Sequence, residues 1–104
     1  MLISARICKI LPERTGTSEN GSWSFTPMII EFDEQAINGV KTHSARIELS
    51  GKTFKIDALK ARCEDRQPVQ MHLSLSVRKT KDGGYFTEVN AYPEDTAYRV
   101  PREY

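Results

Sequence analysis

The sequence predicts an all-β domain with one short helix, and the stretch from Val69 to Tyr92 is the main reason. From Val69 to Val77, apolar and polar residues alternate strictly, which is typical of a strand with one buried and one wet face. The run from Thr80 to Gly84 contains Asp-Gly-Gly, which permits a tight turn, and a second β-rich run then extends to Tyr92. A lone hairpin is only marginally stable in water, so other strands must cover its apolar face.

The first strand is predicted from Ile3 to Ile10, where apolar residues again alternate with polar ones. The alternation slips by one residue at Cys8, which indicates a bulge or a sharp bend. Pro12 ends the strand, and residues 12–22 form a polar stretch around Asn20-Gly21. We expect this stretch to be a long loop, either one that carries binding or a flexible connector.

A second strand is predicted from Trp23 to Glu34. Pro27 has no amide proton to donate, so we expect it at a bulge or a sheet edge, and we expect the strand to change face there. Two interpretations of the aromatic residues before it stay open. Trp23 and Phe25 either turn into the core or remain outside as an aromatic pair.

The middle of the chain predicts one further strand and the helix. A polar connection over residues 35–43 leads to a third strand from about His43 to Ser50, with residues 53–56 as a short continuation. Asp57 can cap a helix from Ala58 to about Asp65. The tail, residues 94–104, has no periodicity, and we expect it to be poorly ordered or packed along the surface.

The order of these elements is strand, loop, strand, loop, strand, helix, strand, tight turn and strand. Five strands with one helix between the third and the fourth are typical of the OB-fold, a small, partly open Greek-key barrel. We therefore predict an OB-fold domain over residues 1–93, followed by a C-terminal tail over residues 94–104. A length of 104 residues agrees with a single domain.

Charge, hydropathy and cysteine content indicate which ligands and which cellular compartment suit the protein. The net charge is only +1, but residues 41–81 carry ten Lys or Arg against four acids, a local excess of +6. No run approaches the ~20 apolar residues of a membrane span, and no signal peptide is visible at the N-terminus. Cys8 and Cys63 lie far apart in sequence, so we expect a reduced, cytoplasmic protein, with a disulfide between them as the alternative.

Both ends of the chain carry a family likeness. The strand from Leu2 to Ile10, Leu11-Pro12 and the stretch from Thr15 to Gly21 before Trp23 resemble the opening of small bacterial OB-fold proteins of the single-stranded-DNA-binding type. The nearest is the "domain of unknown function 3127" family, whose final strand is similar to Gly84–Tyr92. The third strand of that family usually carries a Phe and a Trp, and the third strand here has neither. The resemblance implies binding of single-stranded nucleic acid, often as a dimer or larger oligomer, without catalysis.

No pattern in the sequence indicates an enzyme. His43 and His72 are the only histidines, and no Cys-x-x-Cys, His-x-x-x-His or Asp-x-Asp spacing points to a metal. No glycine-rich loop of the phosphate-binding kind is present. We therefore expect no catalytic residues, no metal and no cofactor.

Binding has more support, because sequence-tolerant single-strand binders combine a basic groove with aromatic faces on which bases stack. The usual ligand surface of the OB-fold is the face of strands two and three with the adjoining loops. The predicted nucleic-acid-binding residues are Arg14, Trp23, Phe25, Arg46, Lys52, Lys55, Arg78, Lys79, Lys81 and Tyr85. The leading hypothesis is an OB-fold that binds single-stranded DNA, or RNA, without strong sequence preference, as a homo-oligomer and most simply a dimer. The alternative is an OB-fold interaction or oligomerisation module that does not bind nucleic acid.

Overall fold

The computed structural model describes residues 1–101 and is built mostly of β-strands with one α-helix. The elements are β1 (Leu2–Ile10), β2 (Arg14–Ser18), β3 (Gly21–Ala36), β4 (Gly39–Leu49), α1 (Ile56–Asp65), β5 (Val69–Lys79), β6 (Tyr85–Pro93) and a 3-10 turn (Thr96–Tyr98). The strands pair antiparallel in the order β2-β3-β1-β5-β6, and β4 pairs with the opposite edge of β3. The predicted all-β class with one helix is therefore confirmed. The sheet is open, since no ladder of hydrogen bonds joins β4 to β6 within residues 1–101.

The core lies on one face of this curved sheet, beneath the helix. It is formed by the buried apolar side chains Ala5, Ile7, Met28, Ile30, Ile47, Leu49, Leu59, Val69, Met71, Leu73 and Ala91. β1, β3, β4 and β5 contribute alternate residues, because successive side chains of a strand point to opposite faces. Leu59 on α1 is fully buried, and Cys63, one turn later, packs against the same cluster.

The bulge predicted in the first strand is present. Ile7 pairs with Ile30, and the next pair joins Lys9 to Ile29, so Cys8 is the extra residue in the β1–β3 ladder. Before the bulge Ala5 and Ile7 face the core, and after it Ile10 does. The bulge therefore turns Lys9 to the outer face of the sheet.

The predicted change of face at Pro27 is wrong. The β3–β4 ladder runs without interruption from Thr26 to Ala36, and Pro27 pairs with Glu48 inside it. Pro27 contributes its carbonyl, which accepts a hydrogen bond of 2.9 Å from the amide of Leu11. The β3 register therefore keeps Trp23 and Phe25 on the face opposite the core. Of the two interpretations, the one in which they remain outside the core as an aromatic pair is correct.

Two stretches predicted as loops are strand hairpins. Most of the polar stretch at residues 12–22 belongs to β2 and the start of β3, which pair from Arg14–Phe25 to Ser18–Gly21. The connection at residues 35–43 is a tight turn at Ile37-Asn38, with Gly39 already paired to Ala36. Both predictions were wrong for the same reason. These two hairpins are exposed to solvent on both faces, so their residues need not alternate between apolar and polar.

The predicted cap of the helix is also wrong. Lys55 occupies the N-cap position without a side-chain hydrogen bond, and Asp57 lies within the first turn. The helix ends at Asp65, and the following residue, Arg66, has a left-handed φ of 57°, as is common at helix C-termini. Residues 53–56 do not continue β4, because Phe54 forms an isolated bridge with Arg99 of the tail instead.

The β5–β6 hairpin extends well beyond the core. Only residues 69–72 of β5 pair with β1, so residues 74–79, the turn and residues 85–90 project as an arm, called here the β5–β6 arm. Leu75 and Val77 are 61% and 66% exposed, so the prediction of one continuous buried face holds only up to Leu73. The radius of gyration, 15.4 Å, exceeds the roughly 13 Å of a compact chain of this length, in agreement with projecting hairpins.

The tail packs on the surface as far as it is described. The side chain of Asp95 accepts a hydrogen bond of 2.9 Å from the amide of Ala97, and the amide of Val100 donates to Thr53 at 2.9 Å. The predictions for residues 102–104 lie outside the described residues. No helix within residues 1–101 is long and apolar enough to cross a bilayer.

Candidate nucleic-acid interface

The outer face of β2, β3 and β4 gathers five charged and aromatic side chains. Residues directly opposite in an antiparallel ladder share a face. Arg14 pairs with Phe25 and Gly16 with Trp23, while Glu48 pairs with Pro27 and Arg46 with Ile29. We call the set Arg14, Trp23, Phe25, Arg46, Glu48 and the adjoining Lys52 the outer-face cluster. Arg14, Trp23, Phe25 and Glu48 line an open groove of about 420 Å³.

Trp23 and Phe25 form the aromatic part of the cluster. Their ring centroids are 5.9 Å apart and their planes are tilted by 43°. Each residue is 37% exposed, so a ring surface remains accessible to a ligand. Since every base has a π-face, such a pair can accept stacked bases of any identity.

The indole of Trp23 packs against the neighbouring strand because the residue opposite, Gly16, has no side chain. A Cβ atom built on Gly16 would lie 2.3 Å from Cζ2 and 2.6 Å from Cε2 of Trp23, far inside contact distance. The indole therefore lies against the backbone of Gly16, and glycine is required there for space rather than for an unusual φ. This contact fixes the position of one side of the ring in the absence of a ligand.

A shared carboxylate links the two guanidinium groups of the cluster. Nη1 of Arg14 lies 3.3 Å from Oε1 of Glu48, and Nη1 of Arg46 lies 3.2 Å from the same oxygen. Each guanidinium carries five N–H donors, so most of them stay available to phosphates. All three side chains are at least one-third exposed, so their ion pairs add little to stability.

Two lysines extend the positive charge of this face. Nζ of Lys52 donates a hydrogen bond of 2.9 Å to the backbone carbonyl of Ser22, the residue that precedes Trp23. Lys9 and Arg46 both pair with Ile29, one on each edge of β3. Lys9, Arg14, Arg46 and Lys52 thus provide four cations at this end of the outer face, where Glu48 is the carboxylate of the cluster. Glu31 and Asp33 lie at the other end of the face.

A second ion-pair network occupies the other end of the same face. The guanidinium of Arg6 donates to both carboxylate oxygens of Asp33 at 3.2 Å, and the Thr42 hydroxyl donates to Oδ1 at 2.8 Å. The hydrogen bond from Arg6, followed by that from Thr42, lowers the pKa of Asp33 below its ordinary value. Arg6 is thus engaged by carboxylates, Glu31 included at 3.8 Å, and we do not count it among the cations that meet a ligand.

The other predicted binding residues lie elsewhere. Lys55 stands at the start of α1, where its amide donates to the carbonyl of Tyr98. Arg78, Lys79, Lys81 and Tyr85 are on the β5–β6 arm. Their predicted patch is divided, because Lys79 pairs with Tyr85 on one face while Arg78 pairs with Phe86 on the other. Nε of Arg78 is also paired with Glu88 at 2.8 Å.

Sequence reasoning missed Glu48 and Lys9. The slip at Cys8 was the available signal for Lys9, because a bulge there turns the next residue outward. For Glu48 the outward phase was visible, but its proximity to Arg14 depends on the β2–β3 and β3–β4 registers. No pattern within one strand specifies those registers across three strands.

The remaining grooves carry less chemistry. One of them, of about 540 Å³, runs between the end of β1 and α1 and is lined partly by Ile10, Thr26 and Lys60. Cys8 and Cys63 line a smaller cavity and are both free thiols. Burial, with the neighbouring Glu31 carboxylate, raises the pKa of the Cys8 thiol. Residues 1–101 hold no group of three or more His, Cys, Asp or Glu side chains placed to bind a metal ion.

Comparisons with protein-family models and with curated proteins found no match to this sequence.

Proposed function

We propose that the protein binds single-stranded DNA on the outer-face cluster, without catalysis and without a cofactor. The observation that carries the proposal is the exposed Trp23–Phe25 pair, at 5.9 Å between centroids, bordered by Arg14, Arg46 and Lys52. Stacking on the rings supplies affinity of about 1–3 kcal/mol for each base, and the cations neutralise the phosphates on either side.

The proposal includes an OB-type barrel that is only partly closed. In support, β1 pairs with β3 and β5, β3 pairs with β4, β5 pairs with β6, and α1 lies between β4 and β5 in sequence. These neighbours are the ones expected of a five-stranded OB-fold in which β2 is an added hairpin segment. The usual ligand surface of that fold is the face on which the outer-face cluster lies. Membership of the "domain of unknown function 3127" family is proposed on the sequence resemblance at the two ends of the chain.

The β5–β6 arm takes a secondary role in this proposal. Lys79, Lys81 and Tyr85 offer further cations and a 71% exposed ring to a strand that leaves the outer face. Lys55, at the N-cap of α1, adds one further cation. We expect these residues to contribute to affinity less than Trp23 and Phe25 do.

The test is a titration of labelled oligo-dT by fluorescence anisotropy, with Trp23 emission followed in the same samples, since it is the only tryptophan. We expect quenching of Trp23 on binding. If four cations each meet one phosphate, affinity falls about 50-fold between 50 and 200 mM salt. Trp23→Ala should weaken binding about tenfold or more, whereas Tyr98→Phe, on the tail, should not.

No binding of oligo-dT or oligo-U at low salt would overturn the proposal. Tighter binding to oligo-U than to oligo-dT would identify RNA as the ligand class instead. Binding that leaves Trp23 emission unchanged would remove the aromatic pair from the site.

A second function, self-association, is favoured by a different observation. Leu75, Val77, Tyr85 and Val89 share the face of the β5–β6 arm that continues the core face, and the first three are more than 60% exposed. Exposed apolar surface of this kind marks an interaction site. We propose that a second copy of the chain covers this face in a homodimer, as the alternative to its contact with nucleic acid.

A further inference from the structure

We infer that Glu48 gives the outer-face cluster a preference for guanine at the base that stacks on Trp23 and Phe25. The inference rests on the proposed function and refines it. Stacking provides affinity for any base, and Glu48 discriminates at one position of the bound strand.

Glu48 is the one anionic side chain of the cluster. It lines the same groove as Arg14, Trp23 and Phe25. A phosphate is repelled by a carboxylate, so the part of a nucleotide that meets Glu48 is not the backbone. What remains beside the rings is the edge of a stacked base.

The carboxylate has room for such a contact. The guanidinium groups of Arg14 and Arg46 approach Oε1, at 3.3 and 3.2 Å, and neither of these ion pairs involves Oε2. A carboxylate offers about four lone-pair sites and only accepts hydrogen bonds. Glu48 can therefore receive two further donors while it keeps both arginines.

Guanine supplies the matching donors. Its pairing edge carries two adjacent N–H groups, on N1 and N2, at a spacing that suits the two oxygens of a carboxylate. Adenine and cytosine present one amino group beside an acceptor, and thymine presents one N–H between two acceptors. Guanine O6, next to N1, is an acceptor that an N–H of Arg14 can meet, in keeping with the usual preference of arginine for that atom.

The experiment compares oligo-dT strands in which one central dT is replaced by dG, deoxyinosine, dA or dC. A single dG cannot fold the strand into a quadruplex, and deoxyinosine keeps O6 and N1–H but lacks the N2 amino group. We expect the dG strand to bind about tenfold more tightly than oligo-dT, and deoxyinosine to lose most of that gain.

Two variants complete the test. Glu48→Gln replaces one acceptor with a donor and should abolish the gain from dG, measured as the ratio of the affinities of that variant for the dG strand and for oligo-dT. Glu31→Gln is the matched control, because Glu31 lies on the same face but beside Arg6 rather than in the groove, and it should keep the gain.

The outcomes separate the inference from the function on which it rests. Oligo-dT binding with no gain from dG, or a gain that survives Glu48→Gln, overturns the inference and leaves the proposed function standing. A preference for dC or dA over dG also overturns it. Failure to bind every strand, oligo-dT included, overturns the proposed function and the inference together.

Discussion

The indole of Trp23 occupies the space in which a side chain at Gly16 would begin. The two residues face each other across the β2–β3 ladder, and a Cβ on Gly16 would come within 2.3 Å of the ring. The position of the aromatic pair therefore depends on a residue that contributes no atom beyond the backbone.

Gly16→Ala should displace Trp23 from β2. Alanine suits the backbone there, since φ at Gly16 is not left-handed, so the effect isolates the steric clash. We expect a loss of about 1 kcal/mol in the free energy of unfolding, because the exposed ring can swing outward at modest cost. Urea denaturation measures the loss, and a red shift of Trp23 emission reports the displacement.

Gly51→Ala is the control for this change. A Cβ at Gly51 would meet only Oγ of Ser24, at 3.9 Å, which is ordinary contact. This variant should keep the stability and emission of the unmodified protein. Equal emission from Gly16→Ala and Gly51→Ala would contradict the packing described here.

Leu59→Ala should cost about 2–5 kcal/mol of unfolding free energy. Leu59 is the buried residue of α1 and is fully enclosed, so truncation leaves a cavity under the helix. Lys60→Ala, at the next and exposed position, should change stability by less than about 0.5 kcal/mol. Comparable losses in the two variants, measured by denaturation, would mean that α1 does not cover the core.

Val77→Lys should weaken self-association through the β5–β6 arm. The substitution adds a charge to the apolar face, whereas Ser76→Lys adds the same charge to the opposite face of the same strand. We expect size-exclusion chromatography with light scattering to show a dimer for the unmodified protein and Ser76→Lys. Val77→Lys should elute as a monomer. A monomer for all three proteins at high concentration would exclude this interface.

Acid should remove the stabilising contribution of Asp33. Its pKa is lowered in the folded protein by Arg6 and Thr42, so the carboxylate favours folding above its unfolded pKa, ordinarily 3.8. That contribution is lost as pH falls through the lower, folded value. The difference in unfolding free energy between the unmodified protein and Asp33→Asn should be constant above a pH of about 5 and shrink below about 4. A difference that does not vary with pH would contradict the assignment.

The sequence predicted features that are encoded by neighbouring residues. The alternation over residues 69–77 specified the β5–β6 hairpin, and the slip at Cys8 specified the bulge, because period two is a local property. It did not predict β2, since Arg14–Ser18 is polar on both faces. The sequence also did not predict where the core ends along β5. Leu73 and Leu75 are the same residue type on the same phase of the strand, and they differ only in whether other elements pack against them.

The candidate site was predicted in part for a related reason. Residue type and strand phase predict a binding role for Trp23, Phe25 and Arg46, and β3 and β4 bring these side chains to one face. Glu48 lies close to Arg14 only because β2 and β4 both pair with β3 in the observed registers. Such pairing depends on two registers that no single strand encodes.

β3 joins more of the molecule than any other strand of the described chain. Its residues 28–32 are bonded to β1 on one edge and to β4 on the other, while its first residues hold β2. The β2 segment can fray without disturbing the core, but freeing the middle of β3 breaks two ladders at once. The amides of residues 28–32 should therefore be among the last to exchange with deuterium, and the loss of their protection should coincide with global unfolding.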